Sequence, residues 1–406
     1  MTDTLKPRDA KEVEDAVRWA LDGDRALEIV GGGSKRSLGR PSQTDVTLDL
    51  SGLSGVTLYE PEELVLSARA GTSLIEIVEL LAARNQQLAF EPVDCGAIFG
   101  AIAGQGTVGG ALASNLCGPR RFKAGAARDH FLGFSAVSGR GEGFKSGGRV
   151  VKNVTGYDLA KLMAGSWGTL AVLTDVTLKT LPKAETEETV LLLAQPDAEA
   201  IRAMAAATNS TCDVSAAAHL PPAVAPRTPG HVHRTAVTAF RLEGVAPSVT
   251  HRRVTLEALL RRFGALDLLA EHDSRAFWRA VRDCEPFAST GAAERPLWRL
   301  SVPPSWGAQA AAAIVEGAGA QVFYDWAGGL IWVETLPSHD AGASAVHRAA
   351  AVAGGHATLV RAPAAVRAVV DVFPPQPGAL AALTKRVKES FDPKGVLNPG
   401  RMWAGM

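Results

Sequence analysis

Residues 31–39 read Gly-Gly-Gly-Ser-Lys-Arg-Ser-Leu-Gly and follow directly on an apolar run, 27–30. Glycine takes positive φ freely and has no Cβ to hold an anion away, so such a loop can turn backbone N–H groups onto a phosphate. Ser34 adds a hydroxyl donor, and Lys35 or Arg36 a positive charge. Taken alone, a triple glycine is an ordinary tight turn. Two familiar phosphate motifs are excluded by the letters. A dinucleotide fingerprint needs Gly or Ala where Arg36 stands, and a Walker loop needs Gly immediately before Lys35, where Ser34 stands.

A second set of close-approach positions follows: Gly106, Thr107, Val108, Gly109 and Gly110, then Ser114 and Asn115. A ligand with a phosphate-bearing middle and two bulky ends, such as a dinucleotide, needs two such walls. A third element, VKNVTGYDL at 151–159, runs into GSWGTLAVLT at 165–174.

Other side chains offer less. Arg299 lies in LWRLS, where strand alternation puts Trp298 and Leu300 on one face and Leu297, Arg299 and Ser301 on the other. Its guanidinium could clamp a carboxylate bidentately, or it could be a surface or salt-bridging arginine. His231 and His233 sit beside Pro229 and Gly230 with no acidic companion, which is a solvent-exposed loop pattern. His356 follows Gly354-Gly355 without a partner, and His130 beside Asp129 is a generic polar turn. Cys95, Cys117, Cys212 and Cys284 are widely spaced with no CxxC pair, so neither zinc nor an iron–sulfur cluster is expected. No metal site is expected.

The elements that must position these loops can be read from periodicity. Asp9 and Glu12 have capping-box spacing ahead of an apolar stripe at 10–21, so a helix starts there. Strands are expected at 27–30, 46–50, 64–68 and 88–90. A second capping box, Ser73 with Glu76, opens a helix through Leu81. The glycine-rich stretch 95–119 is uncharged until Arg120 and long enough to cross a membrane. Its seven glycines argue for buried loop and strand instead. Residues 157–163 read as helix and 170–181 as strand. After Pro182 the composition shifts to Ala- and Pro-rich sequence with strands at 190–193 and 297–302, helices at 252–263 and 308–316, and a last helix at 383–391.

The chain has 406 residues, 42 basic and 42 acidic, so its formal charge is zero. That balance removes the basic footprint of a nucleic-acid binder. At 47% hydrophobic and 21% charged the sequence is globular, and four cysteines in this length fit a reducing compartment. The N-terminus shows no apolar signal segment.

VGGGSK, then GTVGGALASN, then VVKNVTGYDLAKLMAGSWGTLAVLTDVTLKTLP resemble, in that order, the FAD-binding domain of the vanillyl-alcohol oxidase/PCMH flavoprotein superfamily. Within it, NLCGPRR, KNVTGYDL and the terminal DPKGVLNPGRM resemble FAD-binding subunits of bacterial glycolate oxidase complexes. The likeness covers the motifs of 1–182 and the tail; the middle is weaker. It implies an α+β fold: a two-part FAD-binding domain at 1–182 (about 1–51 and 52–182), an α+β cap at 183–360, and a segment at 361–406 that returns to the FAD domain.

The resemblance also assigns roles. Gly31, Gly32, Gly33, Ser34, Lys35, Leu38 and Gly39 would hold the FAD pyrophosphate. Gly106, Thr107, Val108, Gly109, Gly110, Ser114 and Asn115 would line its other side and the flavin. Tyr157, Gly168 and Val172 would lie along the ribityl and adenine parts, and Asn398 near the ring. No covalent flavin bond to Cys117 is carried over. The HxGDGNxH-like metal stretch of related hydroxyacid dehydrogenases has no counterpart here. The expected function is therefore glycolate oxidation within a complex, together with a catalytic FAD-binding sister subunit and an iron–sulfur subunit. The expected place is the cytoplasm, with membrane association only through partners. The alternatives are a free-standing 2-hydroxyacid dehydrogenase and a scaffold subunit with structural flavin.

Overall fold

Asp9 caps the first helix, Ala10–Asp22, by accepting the N–H of Glu12 at 2.8 Å. The reciprocal arm is displaced by one residue, since the Glu12 carboxylate accepts the N–H of Arg8 at 2.7 Å. This computed structural model describes residues 3–149, 156–228, 234–289 and 295–406. It is a mixed fold of helices and sheets, as the resemblance implies.

The helix buries Val13, Val17 and Ala20 against a small parallel sheet ordered Asp3–Leu5, Val46–Asp49, Leu27–Val30. A second, antiparallel sheet of five strands follows the order Val56–Glu60, Val65–Arg69, Ala171–Lys179, Phe131–Ser138, Gly143–Gly147. Gln86–Gln87 and Leu181–Pro182 form a separate two-stranded antiparallel pair. Residues 88–90 form a turn, not the expected strand. Glu91 has a φ of 50°, which ends extended pairing there.

The glycine-rich stretch also departs from expectation. Instead of strand it holds two short helices, Gly96–Phe99 and Val108–Ser114. Low helix propensity is overridden by packing: a Cβ at Gly109 would stand 2.8 Å from both Cβ and carbonyl oxygen of Ala70. Among the described residues no helix is long and apolar enough to cross a membrane.

Residues after Pro182 build an eight-stranded sheet, all of whose recorded pairings are antiparallel. Its strands include Thr186–Leu193, Leu297–Ser301, Gln321–Asp325, Leu330–Glu334 and His356–Arg361. Helix Gly307–Ala318 spans the expected 308–316, whereas Ala246–Leu260 begins six residues before the expected 252–263 and ends three residues short of it. This sheet is fastened to the first part of the chain by a buried charge cluster. Arg241 takes Glu91 bidentately at 2.9 and 3.1 Å, and Arg120 grips Glu243, with 2.9 Å for its Nε bond.

The tail then comes back. After helix Gly378–Phe391, the N–H of Leu27 donates to Val396 at 2.7 Å and that of Asn398 to Leu27 at 3.0 Å. Lys388 is buried and gives its ammonium to the carbonyls of Thr169 and Leu397 and to Asp392, at 2.6, 3.0 and 2.5 Å. Asp392 in turn accepts the N–H groups of Val396 and Leu397.

Candidate functional site

Strand Leu27–Val30 delivers Gly31–Lys35 to one wall of a groove of about 740 Å³. Of the residues singled out in the sequence, Gly31, Gly32, Gly33, Ser34, Lys35, Thr107, Gly109, Gly110, Ser114 and Gly168 line it together. The remainder sit elsewhere. Leu38, Val108 and Val172 are buried in the apolar cores. Gly39 lies against Arg401, Gly106 against Leu74, and Tyr157 is 89% exposed. Asn115 ends its helix in the left-handed region and accepts the N–H of Arg128 at 3.0 Å. Asn398 accepts the N–H of Ile29 and donates to the carbonyl of Trp167, so both ends of its amide are spent on protein. Residues 152–155 of KNVTGYDL, and His231 and His233, lie outside the described residues.

The two loops do different work. Among the described residues, the N–H groups of Gly32, Gly33, Ser34 and Lys35 donate to no protein acceptor. Four consecutive free donors in a groove wall are a nest for an anion. The first amides of helix Val108–Ser114 are already used: Val108 on Thr72, Gly109 on Ala70 and Gly110 on the Thr107 hydroxyl. The second loop is thus a smooth wall and not a donor set.

The first two glycines are required by this wall. A Cβ on Gly32 would overlap the carbonyl oxygen of Gln105, and one on Gly31 would stand 2.5 Å from the Thr107 hydroxyl. Close approach of loop to loop, not only of ligand to loop, fixes glycine at both positions.

Charge is placed to match. Lys35 is 9% exposed, and among the described residues its ammonium reaches only the Ser34 hydroxyl, at 3.4 Å. Arg36, by contrast, is paired with Glu28. Arg401, from the tail, was not singled out from the sequence. It lines the groove, donates to the carbonyls of Lys35 and Leu38 at 2.9 and 3.3 Å, and leaves its buried Nε without a partner among the described residues. Burial pulls its pKa down to about 10. Free amides, an unpaired ammonium and an orphaned guanidinium N–H together fit a diphosphate. The only sequence signal for Arg401 was its place in the tail motif.

Arg299 lies on the cap sheet, opposite Trp332 on one neighbouring strand and Thr358 on the other. Its guanidinium carbon is 4.7 Å from the centre of the Trp326 ring, and the indole N–H of Trp326 donates to Gly118 at 3.0 Å. That bond places Arg299 against the NLCGPRR segment. Ser301 pairs with His356, so the sheet register puts His356 on the face of Arg299, one strand over and two residues along. Burial, and then Arg299, hold the pKa of this imidazole below its ordinary value. No local pattern signals that neighbour, because it is set by pairing between distant strands. Next to Trp326, burial pushes the Asp325 carboxyl up to about 7. Cys117 is buried, and burial raises its thiol to about 11, which describes an apolar filler and not a nucleophile. His130 is a satisfied core histidine, its Nε2 2.8 Å from the Ala124 carbonyl.

Comparison with known proteins gives the family. A sequence model described as an FAD binding domain matches residues 4–147. Over 389 residues the chain is 33% identical to glycolate oxidase subunit GlcE of Escherichia coli (strain K12), covering 96% of this chain and 95% of that one. The chain belongs to the GlcE family of PCMH-type flavoproteins. FAD is its cofactor, and the family is one of flavin-dependent oxidoreductases.

Glycolate oxidase subunit GlcD of Bacillus subtilis (strain 168) is 27% identical over 192 residues, 47% of this chain and 39% of that one. The fold is shared with p-cresol methylhydroxylase, with a TM-score of 0.69 at 12% identity over 98% of this chain and 88% of the other.

Proposed function

We propose that the chain is the FAD-binding subunit of a glycolate oxidase complex and supports oxidation of glycolate to glyoxylate. The observation that carries this reading is the convergence of the free amides of 32–35 with Lys35 and Arg401 in one groove, in a chain alike to GlcE along almost its whole length.

In this reading residues 31–35, Lys35 and Arg401 hold the diphosphate of FAD. The wall formed by Thr107, Gly109, Gly110, Ser114 and Gly168 lines the rest of the groove. Bound FAD supplies a two-electron acceptor for the hydrogen leaving the hydroxyl-bearing carbon. Arg299 holds the substrate carboxylate, and His356, whose pKa partial desolvation and Arg299 hold below its ordinary value, takes the hydroxyl proton on a ring nitrogen. A sister FAD-binding subunit and an iron–sulfur subunit complete the assembly and carry electrons onward.

The test is anaerobic mixing of glycolate with the complex purified from its native cell. Bleaching of the flavin held by this chain, with glyoxylate formed, is the expected result. A flavin here that stays oxidised through turnover would make the chain a scaffold. Turnover by the isolated chain with an artificial acceptor would make it a free-standing dehydrogenase.

A further inference from the structure

Buried arginines at the junction of the two halves of the chain meet acids. Arg120 pairs with Glu91 and Glu243, Arg241 with Glu91, Arg282 with Asp283 and Arg361 with Glu334. Arg121 and Arg299 are different. Both are half-buried, and among the described residues neither has an ion pair or a side-chain hydrogen bond. Their guanidinium carbons lie 5.8 and 4.7 Å from the centre of the same ring, that of Trp326. Arg121 comes from the FAD-binding half and Arg299 from the cap sheet.

The ring they share is held by unusual means. Trp326 and Ala327 have φ of 52° and 56°, two consecutive left-handed residues without glycine. Such a turn persists only where its surroundings over-determine it, and the indole N–H bond to Gly118 across the junction is one such restraint. Asp325 lies near enough to Arg299 to act on it through space, but it is not its ion-pair partner. It makes no contact within ion-pair distance of either arginine, and its Oδ1 accepts the N–H of Trp326 at 2.7 Å. Two guanidinium groups that share one aromatic platform, with no ion-pair partner among the described residues, leave a net positive site at the junction.

We propose that Arg121 and Arg299 form one anion site across the two halves of the chain, seated on Trp326, which takes the carboxylate of a small hydroxy-acid substrate. This rests on the reading above and adds Arg121 to it as a substrate-binding residue. Because each half supplies one cation, bound carboxylate also ties the cap to the FAD-binding half.

Oxalate, a small carboxylate that cannot be dehydrogenated, is the probe, titrated into the flavin-loaded protein by calorimetry. Arg121→Gln and Arg299→Gln should each weaken oxalate about tenfold or more. The double variant should lose less than the product of the two, because they share one ligand. Arg121→Lys should recover part of the loss. Unchanged oxalate affinity in Arg121→Gln with full flavin content overturns the proposal and leaves the flavin reading intact. Protein that takes up no flavin, yet binds oxalate through Arg121, overturns the flavin reading and leaves this site standing.

Discussion

Arg401 reaches back along the whole chain to donate to the carbonyl of Lys35 at 2.9 Å. The contact sets the curvature of the loop that carries four free amides, and brings a buried cation to the same groove. The tail is therefore part of the site. It is strapped there by the Asn398 amide, spent on Ile29 and Trp167, and by the Lys388–Asp392 pair under it.

Arg401→Ala removes both the loop contact and the orphaned donor. FAD should bind at least tenfold more weakly, about 1.4 kcal/mol, with the chain still folded. Flavin retained on gel filtration, compared with the unaltered protein, measures it.

Gly32→Ala and Gly33→Ala separate loop packing from loop conformation. A methyl at 32 overlaps the Gln105 carbonyl and should cost about 3 kcal/mol of stability. At 33 the space is open but φ is 74°, so about 1–2 kcal/mol is expected. Thermal or denaturant melts of the two variants should rank them in that order.

Much of this was legible in the letters, and the failures have physical causes. The Asp9 cap, the strand ending in Gly31 and the alternation around Arg299 are local features, and each was found where its pattern put it. The helix at Val108–Ser114 was read as loop and strand because its glycines are set by contact with Ala70, which no local pattern reveals. Asn398 is set near the flavin ring by likeness alone, and what the letters do not show is that its amide bonds the backbone of Ile29 and Trp167. Arg121 and Arg120 are adjacent and alike in sequence. Only the fold shows that one is paired twice and the other left for a ring.

Acid should loosen the junction between the cap sheet and the first half of the chain. Burial would raise the Glu243 carboxyl, but Arg241 and Arg120 override it and hold the group at about 2, below its ordinary 4.5. A depressed folded pKa contributes stability that is full above about 4.5 and is lost as pH falls toward 2. Glu243→Gln should remove that part of the acid transition and cost about 1–3 kcal/mol at neutral pH, because Arg120 and Arg241 are then left to share Glu91. Acid unfolding curves of the two proteins, followed by tryptophan fluorescence, provide the comparison.

Substrate oxidation should carry an acidic limb. His356 accepts a proton only when neutral, and its pKa lies below the ordinary 6.5, so the rate should fall as pH drops through that lowered value. His356→Asn should slow turnover about 100-fold or more and abolish the limb, while flavin content stays the same. An unchanged profile in the variant removes His356 from the proton path.

The most direct measurement is the amount of FAD released on denaturing the purified chain after incubation with the coenzyme. One FAD per chain, falling sharply when Lys35 and Arg401 are both replaced by Gln, is the predicted result. A protein that remains colourless and releases none, or one whose flavin content ignores both cations, contradicts the account.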